Sequence, residues 1–134
     1  MLSSVEFGDT IVLADCEAGI GTLTRLGETP VDVVLVVVEP TPKSLEVGAR
    51  AATLAKERNM GHIIVVASRI RNDEDLEAIR RALPGQEIVV VPDDPAIVAA
   101  DREGLAPIDT APGSPAVLAL MGVADRVMAT VSAA

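Results

Sequence analysis

Four short segments hold the residues with chemistry to offer: Asp15-Cys-Glu-Ala-Gly-Ile-Gly21, Glu39-Pro-Thr-Pro42, Ser68-Arg-Ile-Arg-Asn72 and Pro92-Asp-Asp-Pro95. Asp15 is a carboxylate of the kind that holds a hydrated magnesium ion, which takes oxygen ligands and keeps several of its waters. The same residue type also caps turns, and from one position alone the turn cap is the simpler reading. Glu17 reads equally as an acid of a site or as a solvated turn residue. Cys16 is the sole cysteine, so neither an intrachain disulfide nor a Cys-x-x-Cys metal pair forms, and a single thiol serves more readily as a small apolar side chain than as a metal ligand. His62 has no second histidine to join it around a metal and takes no role.

These segments must be positioned by the elements that precede them. Thr10-Ile-Val-Leu-Ala14, Val31-Asp-Val-Val-Leu-Val-Val-Val38, His62-Ile-Ile-Val-Val-Ala67 and Glu87-Ile-Val-Val-Val-Pro92 are β-branched and nearly continuous in apolar character, as strands buried on both faces of a parallel sheet are. Helical patterns lie between them. Thr41-Pro42 opens a helix to about Arg58, stopped by Asn59 and Gly61. Asn72 or Asp73 caps a second, with Leu76, Ile79 and Leu83 on one face and Pro84-Gly85 at its end. A short helix follows at about Pro95 to Arg102. The last begins near Ser114-Pro115 and carries a wide stripe from Val117 to Val131, which packs on the sheet or on a partner. The stretch from Gly104 to Gly113 reads as an ordered loop. The expectation is one α/β domain over residues 1–134: a doubly wound, mostly parallel sheet of four to five strands with flanking helices, its ligands bound beyond the carboxyl ends of the strands.

Composition narrows the ligand. Eleven Lys and Arg against twenty Asp and Glu leave a net charge of −9, a field that repels nucleic-acid backbones and anionic membranes, so neither is an expected partner. Phe7 is the single aromatic residue, which removes any stacking platform for bases. The lone cysteine and the absence of a basic, then apolar, leader in the first residues fit a cytoplasmic protein. The longest strongly apolar run, Val33 to Val38, is far short of the roughly 20 residues of a membrane span.

The order of these segments resembles a known family. Val12-Leu-Ala-Asp-Cys-Glu-Ala-Gly-Ile is similar to the switch region of the deviant-Walker ATPases of the MinD/ParA class. Its Asp-x-Glu-Ala-Gly form, with Val-Val-Val-Glu-Pro and Ser44-x-Glu46 following, most resembles the CooC-type accessory ATPases of carbon monoxide dehydrogenase maturation. Val90-Val-Pro92-Asp-Asp94, and Glu103 within Ala100-Asp-Arg-Glu-Gly104-Leu-Ala-Pro-Ile-Asp109, resemble the nucleotide-base end.

The resemblance implies ATP or ADP with magnesium as ligands. It makes Asp15 the switch carboxylate near the metal and the attacking water, and Gly19 the glycine that approaches the terminal phosphate. Ser68 stands where the family has an asparagine that reads the adenine edge, with Arg69 packing over the base or facing solvent; Pro92 and Asp93 line the adenine. It also implies a homodimer and a metalloenzyme client such as carbon monoxide dehydrogenase. The family's phosphate-cradling loop ending in Gly-Lys-Ser/Thr has no counterpart here: the only lysines, Lys43 and Lys56, do not follow a glycine. The family's Cys-x-Cys pair is missing too, so nickel is not expected on this chain.

The sequence thus corresponds to the C-terminal portion of the family's length, and the chain alone is expected not to hydrolyse ATP. Phosphoryl transfer depends on positioning and charge stabilisation, and the loop supplies both. The competing reading is a non-catalytic dimerisation or protein-interaction module that kept the sheet. A phosphoacceptor receiver domain fits poorly, because Ser68-Arg69 follows the third apolar run and no lysine occurs after Lys56.

Overall fold

The computed structural model describes Gly8, residues 10–16, Gly21 and residues 30–133. Within them three strands form one parallel sheet in the order β1 (Val33–Val38), β2 (His62–Ile70), β3 (Glu87–Pro92). Helices α1 (Pro42–Glu57) and α2 (Asp73–Ala82) make the two crossovers, and α3 (Pro95–Glu103), α4 (Pro107–Thr110) and α5 (Pro115–Ser132) follow β3. Val33 lies beside His62 and Val38 beside Ala67, so β1 and β2 pair in unbroken register.

Helices α1, α2, α3 and α5 each start where the sequence supplies a side-chain oxygen for the orphan amides of the first turn. Thr41 accepts from the Ser44 N–H, Asn72 from the Asp75 N–H at 2.9 Å, Asp94 from the Ala96 N–H at 2.9 Å, and Ser114 from the Val117 N–H. Proline occupies the first turn of α1, α3, α4 and α5, where its missing N–H costs nothing. In α2 three acids open the helix and Arg80 and Arg81 close it, matching the helix dipole at both ends. The return from α1 to β2 requires Gly61: its φ is +90°, and an added Cβ would run into the carbonyl oxygens of Val31 and Asp32.

Helices pack against both faces of the sheet. Val36, Val38, Val65, Ala67 and Ile70 pack with Ala52 of α1 and with Ile79 and Leu83 at α2. The opposite face, Val66 and Val91 with Leu35 and Val89, is covered by Ala116, Ala119, Val123 and Val127 of α5 and by Ile97 of α3. On the first face α1 comes so close to the sheet that Gly48 is buried against the Val38 side chain.

Three features differ from the sequence expectation. Thr10–Ala14 is irregular, with Ile11, Val12 and Leu13 exposed, so the sheet of described residues has three strands, close to the four to five expected. A five-residue apolar run becomes a strand only where an edge hydrogen-bonds it, and this one has no such partner among the described residues. The loop from Gly104 to Gly113 contains the short helix α4, started by Pro107. Finally, α5 is long and apolar enough to cross a membrane by length and composition, with a mean hydropathy of 1.3. Its packed side nevertheless forms the second face of the core, and Asp125 and Arg126 interrupt its sequence.

Candidate functional site

The carboxyl ends of the three strands meet at one guanidinium. Arg69 was expected just beyond β2, but β2 continues to Ile70, and the pairing with β3 slips between Ala67 and Ile70. The slip is made by Arg69 itself, whose φ of +58° places a branched, charged residue in the left-handed region that favours glycine. Ile70 then re-enters the ladder beside Pro92, and its carbonyl accepts from the Asp93 N–H at 3.0 Å.

From that turn the Arg69 side chain reaches Glu39, beyond β1, at 3.8 Å and Asp93, beyond β3, at 3.6 Å. These pairs are long and solvent-exposed, worth at most about 1 kcal/mol together in stability. One cation between two carboxylates leaves the cluster at net −1, so it is not a phosphate cradle. Glu39 is held from below, its N–H donating to Ser44 Oγ at 2.9 Å, while Ser68 is half-buried at the start of the slip.

Ser68, Arg69, Pro92 and Asp93 are thus brought to one end of the sheet, and Glu39, to which the sequence reading gave no role, joins them. The signal for Glu39 was its place directly after a strand. Asp15 and Cys16 are exposed, in the irregular segment that precedes β1. A single exposed carboxylate suits magnesium, which needs only one or two protein oxygens besides its waters and a phosphate. Glu17 and Gly19 lie outside the described residues. Among the described residues, no group of three or more His, Cys, Asp or Glu is arranged to hold a metal ion.

Asp94, next to the site, is buried and serves structure. Its two oxygens accept from the Ala96 N–H and, at 3.0 Å, from the Ala116 N–H, so one carboxylate caps both α3 and α5. Those amides, Ala116 first, hold its pKa below the usual aspartate value. The Asp-Pro pair at 94–95 signals the first cap; the second, 22 residues away, has no sequence signal.

A strand-end cluster on a parallel sheet is where nucleotides bind in many unrelated proteins, so comparison with known proteins is what narrows the group. No family model matches the chain. An uncharacterised ATP-binding protein of Methanocaldococcus jannaschii is 30% identical over 121 residues, which is 88% of this chain and 46% of that protein. The carbon monoxide dehydrogenase accessory protein CooC of Rhodospirillum rubrum is 34% identical over 102 residues, covering 75% of this chain and 39% of CooC. Among solved structures, the MinD cell division protein of Aquifex aeolicus superposes with a TM-score of 0.60 at 26% identity, over 73% of this chain and 44% of that one. The chain is MinD/CooC-like in both sequence and fold. It spans under half the length of these relatives, so the MinD/CooC-like likeness bears on the part they share.

Proposed function

We propose that this chain forms the nucleotide-base and switch portion of a MinD/CooC-like ATP-binding protein. Ser68, Arg69, Pro92 and Asp93 receive the base of ATP or ADP. Asp15 acts as the switch carboxylate, holding magnesium through water, and Gly19 approaches the terminal phosphate. The observation that carries the reading is Arg69: a left-handed backbone at a non-glycine residue, at the carboxyl end of the central strand and between two strand-end acids, is strain of the kind that functional sites retain. The names of the relatives support the ligand, since one is an ATP-binding protein.

In this reading the chain is cytoplasmic and acts as a homodimer, and a metalloenzyme such as carbon monoxide dehydrogenase is its client. The 134 residues by themselves do not hydrolyse ATP, because no Gly-Lys-Ser/Thr loop is present to position the phosphates. Calorimetric titration with Mg-ATP and with ADP tests it. The expected result is weak, saturable heat with both nucleotides and a weaker response to Mg-ATP in Asp15→Ala. Absence of heat at millimolar nucleotide would overturn it in favour of an interaction module that kept the sheet.

A further inference from the structure

The helices on the two faces of the sheet are held to it by different means. On the α1 and α2 side the contact is aliphatic, with eight buried residues from Val36 to Leu83. The polar link there, from the Glu39 N–H to Ser44 Oγ at the start of α1, involves no ionisable group. Asp75 of α2 pairs with Arg71 four residues before it, so its protonation loosens the first turn of α2 and not the seat of that helix on the sheet.

On the other side four buried residues, Val66, Val91, Ala116 and Val123, make the contact with α5, and the polar links of α5 end on carboxylates. At its first turn the Ala116 N–H donates to Asp94 at 3.0 Å, and nearer its end the Arg126 guanidinium donates to both oxygens of Glu87. The groups facing Glu87 are Arg126 from α5 and His62 from β2. Those facing Asp94 are the amides of Ala116 in α5 and Ala96 in α3 and the Ser114 hydroxyl, none of them charged. Protonating Glu87 removes the anion that Arg126 and His62 share. Protonating Asp94 turns one of its two accepting oxygens into an O–H that faces an N–H, so one helix loses its cap.

We propose that α5 is an acid-released element: protonation of Glu87 and Asp94 detaches it from the sheet as a unit, while α1 and α2 stay packed on the opposite face. The order follows from the burial, since the side that relies on the carboxylates also has half as many buried apolar residues. Both carboxyls are held below their usual values, Glu87 by Arg126 and then His62, Asp94 by the Ala116 and then the Ala96 amide. The links are therefore complete above the unfolded-state pKa values of about 4 and are lost as the pH falls through the folded ones. Once detached, an 18-residue helix is marginal in water, so its amides lose protection. Neither the release nor its test involves nucleotide.

Hydrogen exchange of the 134-residue chain, followed by mass spectrometry from about pH 7 to about pH 3 and referenced at each pH to the unfolded chain, tests it. Protection in α5 is expected to fall about tenfold or more in an acid range where α1 and β1 keep theirs. The double variant Glu87→Gln, Asp94→Asn should show low protection in α5 already at neutral pH, with α1 unchanged and little further response of α5 to acid. Arg126→Gln, which alters an exposed side chain and leaves both carboxyls in place, should also lower α5 protection at neutral pH. If the double variant does not fold, the wild-type series and Arg126→Gln decide. Loss of protection in α5 and α1 together at one pH, full protection of α5 throughout the acid range, or an unchanged acid response of α5 in the double variant would each overturn the proposal.

Discussion

Arg69 holds a conformation that costs a side-chain-bearing residue about 1–2 kcal/mol relative to glycine. Two substitutions separate what the backbone strain does from what the guanidinium does. Arg69→Ala keeps the strain and loses the exposed pairs to Glu39 and Asp93, whereas Arg69→Gly loses the pairs and relieves the strain. In urea denaturation the glycine variant is therefore expected to be the more stable of the two by about 1 kcal/mol. If the guanidinium receives the base, both variants lose Mg-ATP heat alike. Retained heat in either would mean that Arg69 is only a turn residue. The sequence, whose β-branched runs announce where strands stop, placed Pro92 at the end of β3 and Asp93 just beyond it, but it set Ser68 and Arg69 beyond β2 when they lie within it. It did not show the slip that carries Arg69 into β2, since a left-handed arginine has no composition signal; Asn59, also left-handed at φ +51°, is of a type that tolerates this region.

At the scale of elements, α1 and β1 are joined by a close approach that leaves no room for a methyl group. A Cβ at Gly48 would sit inside the contact distance of Val38, a β-branched side chain that is 1% exposed and has few rotamers to retreat into. Gly48→Ala gains about 1 kcal/mol in helix propensity and pays for overpacking, typically about 1–3 kcal/mol. The packing term is the larger here because the neighbour is stiff and buried. The expected outcome is a net loss of about 1 kcal/mol in urea denaturation; a gain in stability would show that α1 can slide outward freely. Helices α1, α2, α3 and α5 were legible from caps, prolines and apolar spacing. Thr10–Ala14 is irregular although its run is apolar, because periodicity reports what a strand would bury, not whether the chain pairs it.

At the scale of the molecule, Glu87 ties the amino ends of β2 and β3 to α5, with His62 Nε2 at 2.5 Å from one oxygen and the Arg126 guanidinium donating to both. Arg126 first, and then His62, hold the Glu87 carboxyl below the usual glutamate value. A carboxylate with a lowered pKa in the folded chain contributes stability that is complete above its unfolded pKa and fades as the pH falls through the folded one. Asp94, lowered by the Ala116 and Ala96 amides, acts with the same sign. Thermal stability should therefore fall progressively below about pH 5. Glu87→Gln should lower the melting temperature at neutral pH and make its decline on acidification shallower; an unchanged acid limb would remove Glu87 from the account. None of this was legible in the sequence, because Glu87 and Arg126 are 39 residues apart and His62 lies 25 residues before Glu87.

The two faces of the sheet also differ in when they can close. The residues that bury the α1 and α2 face lie between Val34 and Ile88, whereas Val66 and Val91 wait for Ala116 and Val123. A ribosome adding about 5–20 residues per second needs roughly 2–6 s to go from Val91 to Val123. Through that interval the nascent chain carries a half-clad sheet, with one side packed and the other a bare aliphatic plane. The event that ends it is the arrival of the Ala116 amide at Asp94, a carboxylate made some twenty residues earlier. Chaperone capture or misassembly during synthesis should concentrate in that window, and on that side of the sheet.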